Sequence, residues 1–76
     1  MPFIDIKVIQ GVFTPDEQRE LVERVSEAVI SVEGESLRPF THTVVTETPS
    51  GSWAIGGQPM RAEDVKAKRA ESPVAA

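Results

Sequence analysis

Pro2 is the residue of this 76-residue chain whose type and position could supply acid–base chemistry. It follows Met1, and removal of Met1 would leave a proline with a free secondary amine. An α-amino group titrates near ~8 in water, and an apolar site lowers that pKa because it disfavours the charged form. Such an amine could act as a general base at neutral pH. The alternative interpretation is that Pro2 simply opens an edge strand.

Other catalytic and metal-binding patterns are missing from the sequence. It has no cysteine, and His42 is its single histidine, so a structural zinc site is nearly excluded. The HExxH, Walker A and GxGxxG motifs are absent. A Ser-His-acid triad stays open, but no nucleophile-elbow sequence supports it. We therefore expect neither a metal nor a cofactor.

A strand, a helix and a second strand follow Pro2 and must position it. Residues 3–10 alternate between apolar and polar side chains, which predicts a half-buried strand. The apolar positions on its inner face are Ile4, Ile6 and Val8. Residues 40–47 predict the second strand. Because a long helix connects the two strands, they should be parallel, with a right-handed crossover.

The helix between the strands has clear start and end signals. Thr14 can cap its N-terminus, Pro15 suits its first position, and Glu17 completes a capping box. Gly34 is well placed to end it. The predicted apolar stripe consists of Leu21, Val22, Val25, Ala28, Val29 and Val32. Ile30 projects opposite this stripe, so it is either a subunit contact or a single exposed isoleucine.

The chain around the second strand reads as connections and turns. A short connection through Arg38 and Pro39 leads into the strand, and residues 48–51 fit a type I turn. Residues 52–55 predict a short extended segment that runs into the glycine pair at residues 56–57.

The C-terminal part of the chain carries weaker signals. The Ala/Lys/Arg/Glu composition of residues 61–71 predicts a weak helix, and residues 72–76 predict a loose tail. We therefore expect one domain over residues 1–62, followed by the weak helix and tail over residues 63–76.

Composition and charge exclude several functional classes. The net charge is −4, from eight basic and twelve acidic residues, so no basic face suggests nucleic-acid binding. No apolar run is long enough to cross a membrane. A chain this small without disulfides has little core, so self-association is expected to stabilise it. The default location is the cytoplasm.

Taken together, the segments resemble the 4-oxalocrotonate tautomerase family over roughly residues 2–60. The family's short subunits begin with proline, an apolar residue and isoleucine, matched by residues 2–4, and their helix opening matches residues 16–18. They also carry Thr-Glu before a glycine-rich hairpin, matched by residues 46–57. The resemblance implies an α+β fold: a single β-α-β unit with a parallel strand pair, one long amphipathic helix and a C-terminal hairpin, assembling into an oligomer.

The same resemblance implies an activity. In the family, the N-terminal proline moves a proton between the oxygen and a carbon of a dienol carboxylate, which would make Pro2 the general acid and base. Trp53 falls where the family has an aromatic residue that helps to keep the proline amine neutral. It could also be a core or interface aromatic. The implied substrate is a small enol or 2-oxo acid, and no cofactor is required.

The two arginines of the family site are not found at the matching positions. Those positions hold Val12 and His42, and an imidazole does not replace a bidentate guanidinium. His42 could donate one hydrogen bond, bind an anion when protonated, or be a partly buried structural histidine. Arg38 and Arg61 could take over carboxylate binding, or could simply lie on the surface.

The resemblance also bears on assembly. Family subunits form hexamers, so we expect a homo-oligomer, with a hexamer as the expected form and a hetero-oligomer as the alternative. Because the two arginines are missing, the alternative hypothesis is a catalytically weak or partner-dependent subunit of a hetero-oligomer in the same superfamily.

Overall fold

The computed structural model describes residues 1–72. Strand β1 spans Phe3–Ile9, helix α1 spans Pro15–Glu33, and a 3₁₀ segment spans Glu35–Phe40. The elements that follow are β2 (His42–Thr48), β3 (Trp53–Ile55), β4 (Gln58–Met60) and α2 (Ala62–Ala70). This order confirms the predicted α+β fold, with a β-α-β unit followed by a hairpin.

The chain divides into two units. The first unit contains Met1–Lys7 and Phe13–Thr46, and the second contains Val8–Val12 and the chain from Glu47 onward. The first unit therefore holds α1 with most of β1 and β2, and the second holds the hairpin and α2.

Strands β1 and β2 form a two-stranded parallel sheet. At one end the backbone N–H of His42 donates to the carbonyl of Pro2 over 3.1 Å. At the other end the N–H of Gln10 donates to the carbonyl of Thr48 over 2.7 Å. Both strands thus advance in the same direction between the two bonds, as the helical connection requires.

Helix α1 begins and ends at the residues that the sequence predicts. The hydroxyl of Thr14 accepts from the N–H of Glu17 over 3.2 Å, and the Glu17 carboxylate accepts from the N–H of Thr14 over 3.0 Å. This capping box pairs two backbone donors that the helix leaves free. At the C-terminal end, the N–H of Gly34 donates to the carbonyl of Ile30 over 2.8 Å.

The buried face of α1 differs from the predicted one. Ile30 is only 4% exposed, whereas Val32 is 89% exposed, so the prediction that Ile30 projects away from the apolar stripe is wrong. Ala28 is exposed as well. The half-buried side also includes a polar residue: the Ser26 hydroxyl lies 2.6 Å from the Thr43 hydroxyl of β2, and this hydrogen bond makes its partial burial tolerable.

Between α1 and β2 the chain forms a 3₁₀ segment where the sequence predicts only a short connection. The hydroxyl of Thr41, just past its end, donates to the carbonyl of Leu37 over 2.9 Å and to the carboxylate of Glu33. Strand β2 therefore starts two residues later than predicted, at His42.

The second unit contains an antiparallel hairpin in which Trp53 pairs with Met60 and Ile55 with Gln58. Its two-residue turn is the pair Gly56-Gly57, whose φ angles are +58° and +82°. Positive φ at both positions is the requirement of a type I′ turn, which glycine meets without strain.

The turn before the hairpin lies one residue later than predicted. The N–H of Ser52 donates to the carbonyl of Pro49 over 2.9 Å, so the turn covers residues 49–52 rather than 48–51. Gly51 occupies its third position with φ +86°, which makes it type II rather than type I.

Helix α2 confirms the weak helix that the composition predicts, and it is tied to the rest of its unit. The hydroxyl of Ser50 accepts from the N–H of Ala62 over 2.9 Å at its N-terminus. Near its C-terminus, Nη1 of Arg69 donates to the carbonyl of Val12 over 3.3 Å. The predicted tail falls largely at residues 73–76, outside the described residues. Within residues 1–72, neither helix is long and apolar enough to cross a membrane.

Candidate active site

Pro2 lies at the start of β1 and is half-buried. Its carbonyl oxygen accepts the 3.1 Å hydrogen bond from the backbone N–H of His42. The N-terminal residue of the expected processed chain is thus held by the sheet one residue before β1 begins. This backbone hydrogen bond fixes the position of Pro2 relative to the start of β2.

His42 is the first residue of β2 and its side chain is exposed. The imidazole stacks on the ring of Phe3, with ring centroids 6.3 Å apart and an angle of 20° between the planes. Phe3 is itself 68% exposed. Pro2, Phe3 and His42 therefore form one cluster at the end of the sheet where β1 and β2 begin, and we call it the strand-start cluster.

A polar group lies further along the same outward face of the sheet. The carboxylate of Asp5 accepts from the Thr46 hydroxyl over 2.6 Å and from Lys7 Nζ over 2.9 Å. These two donors, Thr46 first, hold the pKa of Asp5 below its ordinary value. Lys7 is thereby paired, and it offers the outward face no uncompensated positive charge.

Arg38 lies in the 3₁₀ segment, and two carboxylates occupy its guanidinium. Nη1 and Nη2 donate to the two Glu27 oxygens over 2.7 and 3.1 Å, while Nε and Nη2 donate to Glu35 over 2.8 and 2.9 Å. This double fork lowers the pKa of both glutamates and raises that of Arg38. These four bonds leave one Nη1–H, so Arg38 can bind another carboxylate in a bidentate way only by releasing one of these partners.

Trp53 and Arg61 belong to the second unit. Trp53 is half-buried in β3 opposite Met60, and Arg61 follows Met60 directly. The backbone N–H of Arg61 donates to the Asp64 carboxylate over 3.1 Å, which caps α2. Within residues 1–72 the Arg61 guanidinium has no ion pair or hydrogen bond.

The predicted site residues thus fall into two groups. Pro2 and His42 meet in the strand-start cluster, Arg38 is engaged by glutamates in the same unit, and Trp53 and Arg61 share the hairpin end of the other unit. Sequence reasoning did not single out Phe3. A signal for it exists, because Phe3 opens β1 as His42 opens β2, and parallel strands bring such positions side by side.

The described residues hold no group of three or more His, Cys, Asp or Glu side chains that could bind a metal.

This fold defines a β-α-β protein with a C-terminal hairpin and a proline at position 2. The sequence profile of the family described as "Tautomerase enzyme" matches residues 2–63. The chain belongs to this family, and its structural relatives place it in the 4-oxalocrotonate tautomerase branch of the superfamily. No curated protein matches the chain.

Solved structures of 4-oxalocrotonate tautomerase homologues are similar to this chain. The 4-oxalocrotonate tautomerase isozymes from Methylibium petroleiphilum share 26% identity with a TM-score of 0.67, covering 84% of this chain and 97% of theirs. YwhB, a homologue of 4-oxalocrotonate tautomerase, shares 30% identity with a TM-score of 0.67, covering 83% and 97%. TomN, a homologue in the tomaymycin biosynthetic pathway, shares 26% identity with a TM-score of 0.67, covering 96% and 100%. Family membership supports tautomerase activity, an isomerisation, in general terms.

Proposed function

We propose that the chain is a keto-enol tautomerase in which Pro2, freed of Met1, is the general acid and base. The observation that carries the proposal is the half-buried Pro2 held against β2 by the His42 N–H over 3.1 Å. A neutral amine there accepts the enol hydroxyl proton, and the resulting ammonium returns a proton to the substrate carbon. One O–H bond is broken and one C–H bond is formed, and no electron leaves the substrate.

The other site residues bind and orient one substrate carboxylate. His42 lies in the same unit as Pro2 and carries two ring nitrogens. Arg61 of the other unit is a second candidate cation, because its guanidinium is unpaired within residues 1–72. Arg38 would contribute by exchanging Glu27 or Glu35 for the substrate. By the family resemblance, Trp53 would help to disfavour the charged form of the proline amine.

We also propose that the chain works as a homo-oligomer, with a hexamer as the expected form. The support is apolar surface left exposed in both units: Phe40 is 47% exposed in the first unit and Ile55 is 65% exposed in the second. Within residues 1–72 only Val8, Ile9, Val12 and Ile30 are buried hydrophobics. So small a core makes further burial between subunits the expected source of stability.

The proposed function is tested by ketonisation of phenylenolpyruvate, a monocarboxylate enol. Wild type should accelerate it, and Pro2→Ala should lower kcat/KM by about a hundredfold or more, the usual contribution of a general base. Pro15→Ala is the matched control, because Pro15 is an exposed proline at the first turn of α1. Equal turnover by wild type and Pro2→Ala would contradict the proline mechanism.

A second candidate function is a partner-dependent subunit that lacks activity alone. The observation that favours it is the engagement of Arg38 by Glu27 and Glu35, which leaves the first unit without a free guanidinium. It predicts no turnover by the isolated chain and turnover only after a second chain is added. Robust activity of the purified homo-oligomer would exclude it.

A further inference from the structure

The first unit has no uncompensated permanent cation. Each of its four lysines and arginines is paired with at least one carboxylate at 2.5–3.4 Å. The pairs are Lys7–Asp5, Arg19–Asp16, Arg24–Glu20, Arg38–Glu27 and Arg38–Glu35. The same unit carries eight carboxylate side chains against these four cations, so its net charge is negative and disfavours additional negative charge on a ligand.

His42 is the exception among the basic side chains of this unit. Its imidazole makes a ring contact with Phe3, and within residues 1–72 it has no hydrogen bond or ion pair. Both ring nitrogens are therefore available to a ligand. The charged groups on the neighbouring strand are Asp5 and Lys7, which bind each other.

The stacked Phe3 ring gives this cluster a second property. Its exposed face is flat and apolar and lies directly beside Pro2 in the chain. Aromatic faces of this kind bind planar conjugated groups by offset stacking. The cluster thus combines one anion contact with one surface for a planar substrate body.

Resting on the proposed tautomerase function, we propose that the Phe3–His42 pair makes this site selective for planar enol acids with one carboxylate over those with two. A single imidazole can serve one carboxylate, and it lacks the fork of a guanidinium. A second carboxylate on the substrate would meet a unit with an excess of negative charge and no free lysine or arginine. Such like-charge contacts discriminate strongly against the wrong ligand. Phe3 is then a binding residue, which contacts the planar body of the substrate and stacks against the His42 ring.

The test compares phenylenolpyruvate with its para-carboxylated derivative, which differs by one carboxylate. Wild type should favour the monocarboxylate by about tenfold or more in kcat/KM, and added salt should reduce this preference. His42→Arg should shrink or invert the preference by lowering KM for the dicarboxylate. Phe3→Leu keeps the apolar bulk, and it should raise KM for both substrates while leaving kcat nearly unchanged.

A binding measurement keeps this proposal separate from the catalytic one. Cinnamate and 4-carboxycinnamate are planar and do not tautomerise, and NMR titration gives their Kd values through the Phe3 and His42 ring signals. Cinnamate should bind about tenfold more tightly and shift both rings. This result supports the selectivity even if neither enol is turned over, an outcome that would overturn the proposed activity alone.

Equal or tighter binding of the dicarboxylate by wild type would overturn the selectivity. A monocarboxylate preference that is unchanged in His42→Arg but lost in Arg61→Gln would overturn it too, because the discrimination would then come from the second unit rather than from the Phe3–His42 pair.

Discussion

The backbone N–H of His42 donates to the carbonyl oxygen of Pro2 over 3.1 Å, so the first residue of β2 holds the residue ahead of β1. Both atoms belong to the backbone. Side-chain substitutions at either position therefore leave this bond in place. The chemistry of Pro2 can thus be changed without releasing it from the sheet.

Hydrogen exchange at the His42 amide tests this separation. In Pro2→Ala the carbonyl acceptor is retained, so we expect the protection factor of the His42 amide to stay within about threefold of wild type. Deletion of residues 1–2 removes the acceptor and should speed exchange strongly. If the His42 amide also lost its protection in Pro2→Ala, the substitution would have displaced residue 2 from the sheet. The loss of activity in this variant would then not show that the Pro2 amine is the general base.

Ile30 and Val32 provide a matched pair for the core of the first unit. Ile30→Ala removes a buried side chain and should lower the free energy of unfolding by about 2–5 kcal/mol. Val32→Ala changes an 89% exposed position and should cost under about 0.5 kcal/mol. Denaturant unfolding of both variants measures the difference. Equal losses would show that the buried face of α1 is assigned incorrectly or that Val32 lies in an interface.

The capping box at the start of α1 makes a separate contribution. Thr14→Ala leaves the Glu17 N–H without its acceptor and should destabilise the protein by about 0.5–2 kcal/mol. Thr14→Ser keeps the acceptor oxygen and serves as the control, with nearly wild-type stability. Thermal unfolding distinguishes the two, and an unchanged Tm for Thr14→Ala would contradict the assigned cap.

The Asp5 carboxylate should show how the outward face of the sheet responds to acid. Its pKa lies below the ordinary 3.8 because Thr46 and Lys7 stabilise the ionised form in the folded state. The stability that the ionised Asp5 carboxylate adds to the fold is present above about pH 3.8, and it is lost as the pH falls through the lowered pKa of Asp5. Thr46→Val should raise the Asp5 pKa toward 3.8, measured by ¹³C NMR of the carboxyl carbon. Thr43→Val, whose hydroxyl bonds Ser26 instead, should leave it unchanged.

Local signals in the sequence were sufficient for most of the fold. The capping box of Thr14 and Glu17 predicts the start of α1, and the apolar–polar alternation predicts β1. Both features act between residues that are close in the chain, so they can be recognised in the sequence. The parallel pairing then follows from the helical connection. Pro2 could be singled out as well, since its chemistry depends on its position in the chain.

Contacts between distant residues account for what the sequence did not reveal. Ser26 is not part of the predicted apolar stripe, yet it is half-buried, because its hydroxyl pairs with that of Thr43, 17 positions away. The engagement of Arg38 by Glu27 depends likewise on a contact 11 positions apart. The periodicity of hydropathy along the chain gives no information about such contacts between distant residues.

The most direct test of the central claim is the activity of two synthetic chains that differ only in Met1. The 75-residue chain beginning at Pro2 carries a secondary amine, and the 76-residue chain carries an amide nitrogen at the same atom. Every side chain of the proposed site is identical in the two. We predict that the shorter chain ketonises phenylenolpyruvate at least about a hundredfold faster than the longer one. Equal rates from two folded chains of confirmed mass would contradict the role of the Pro2 amine.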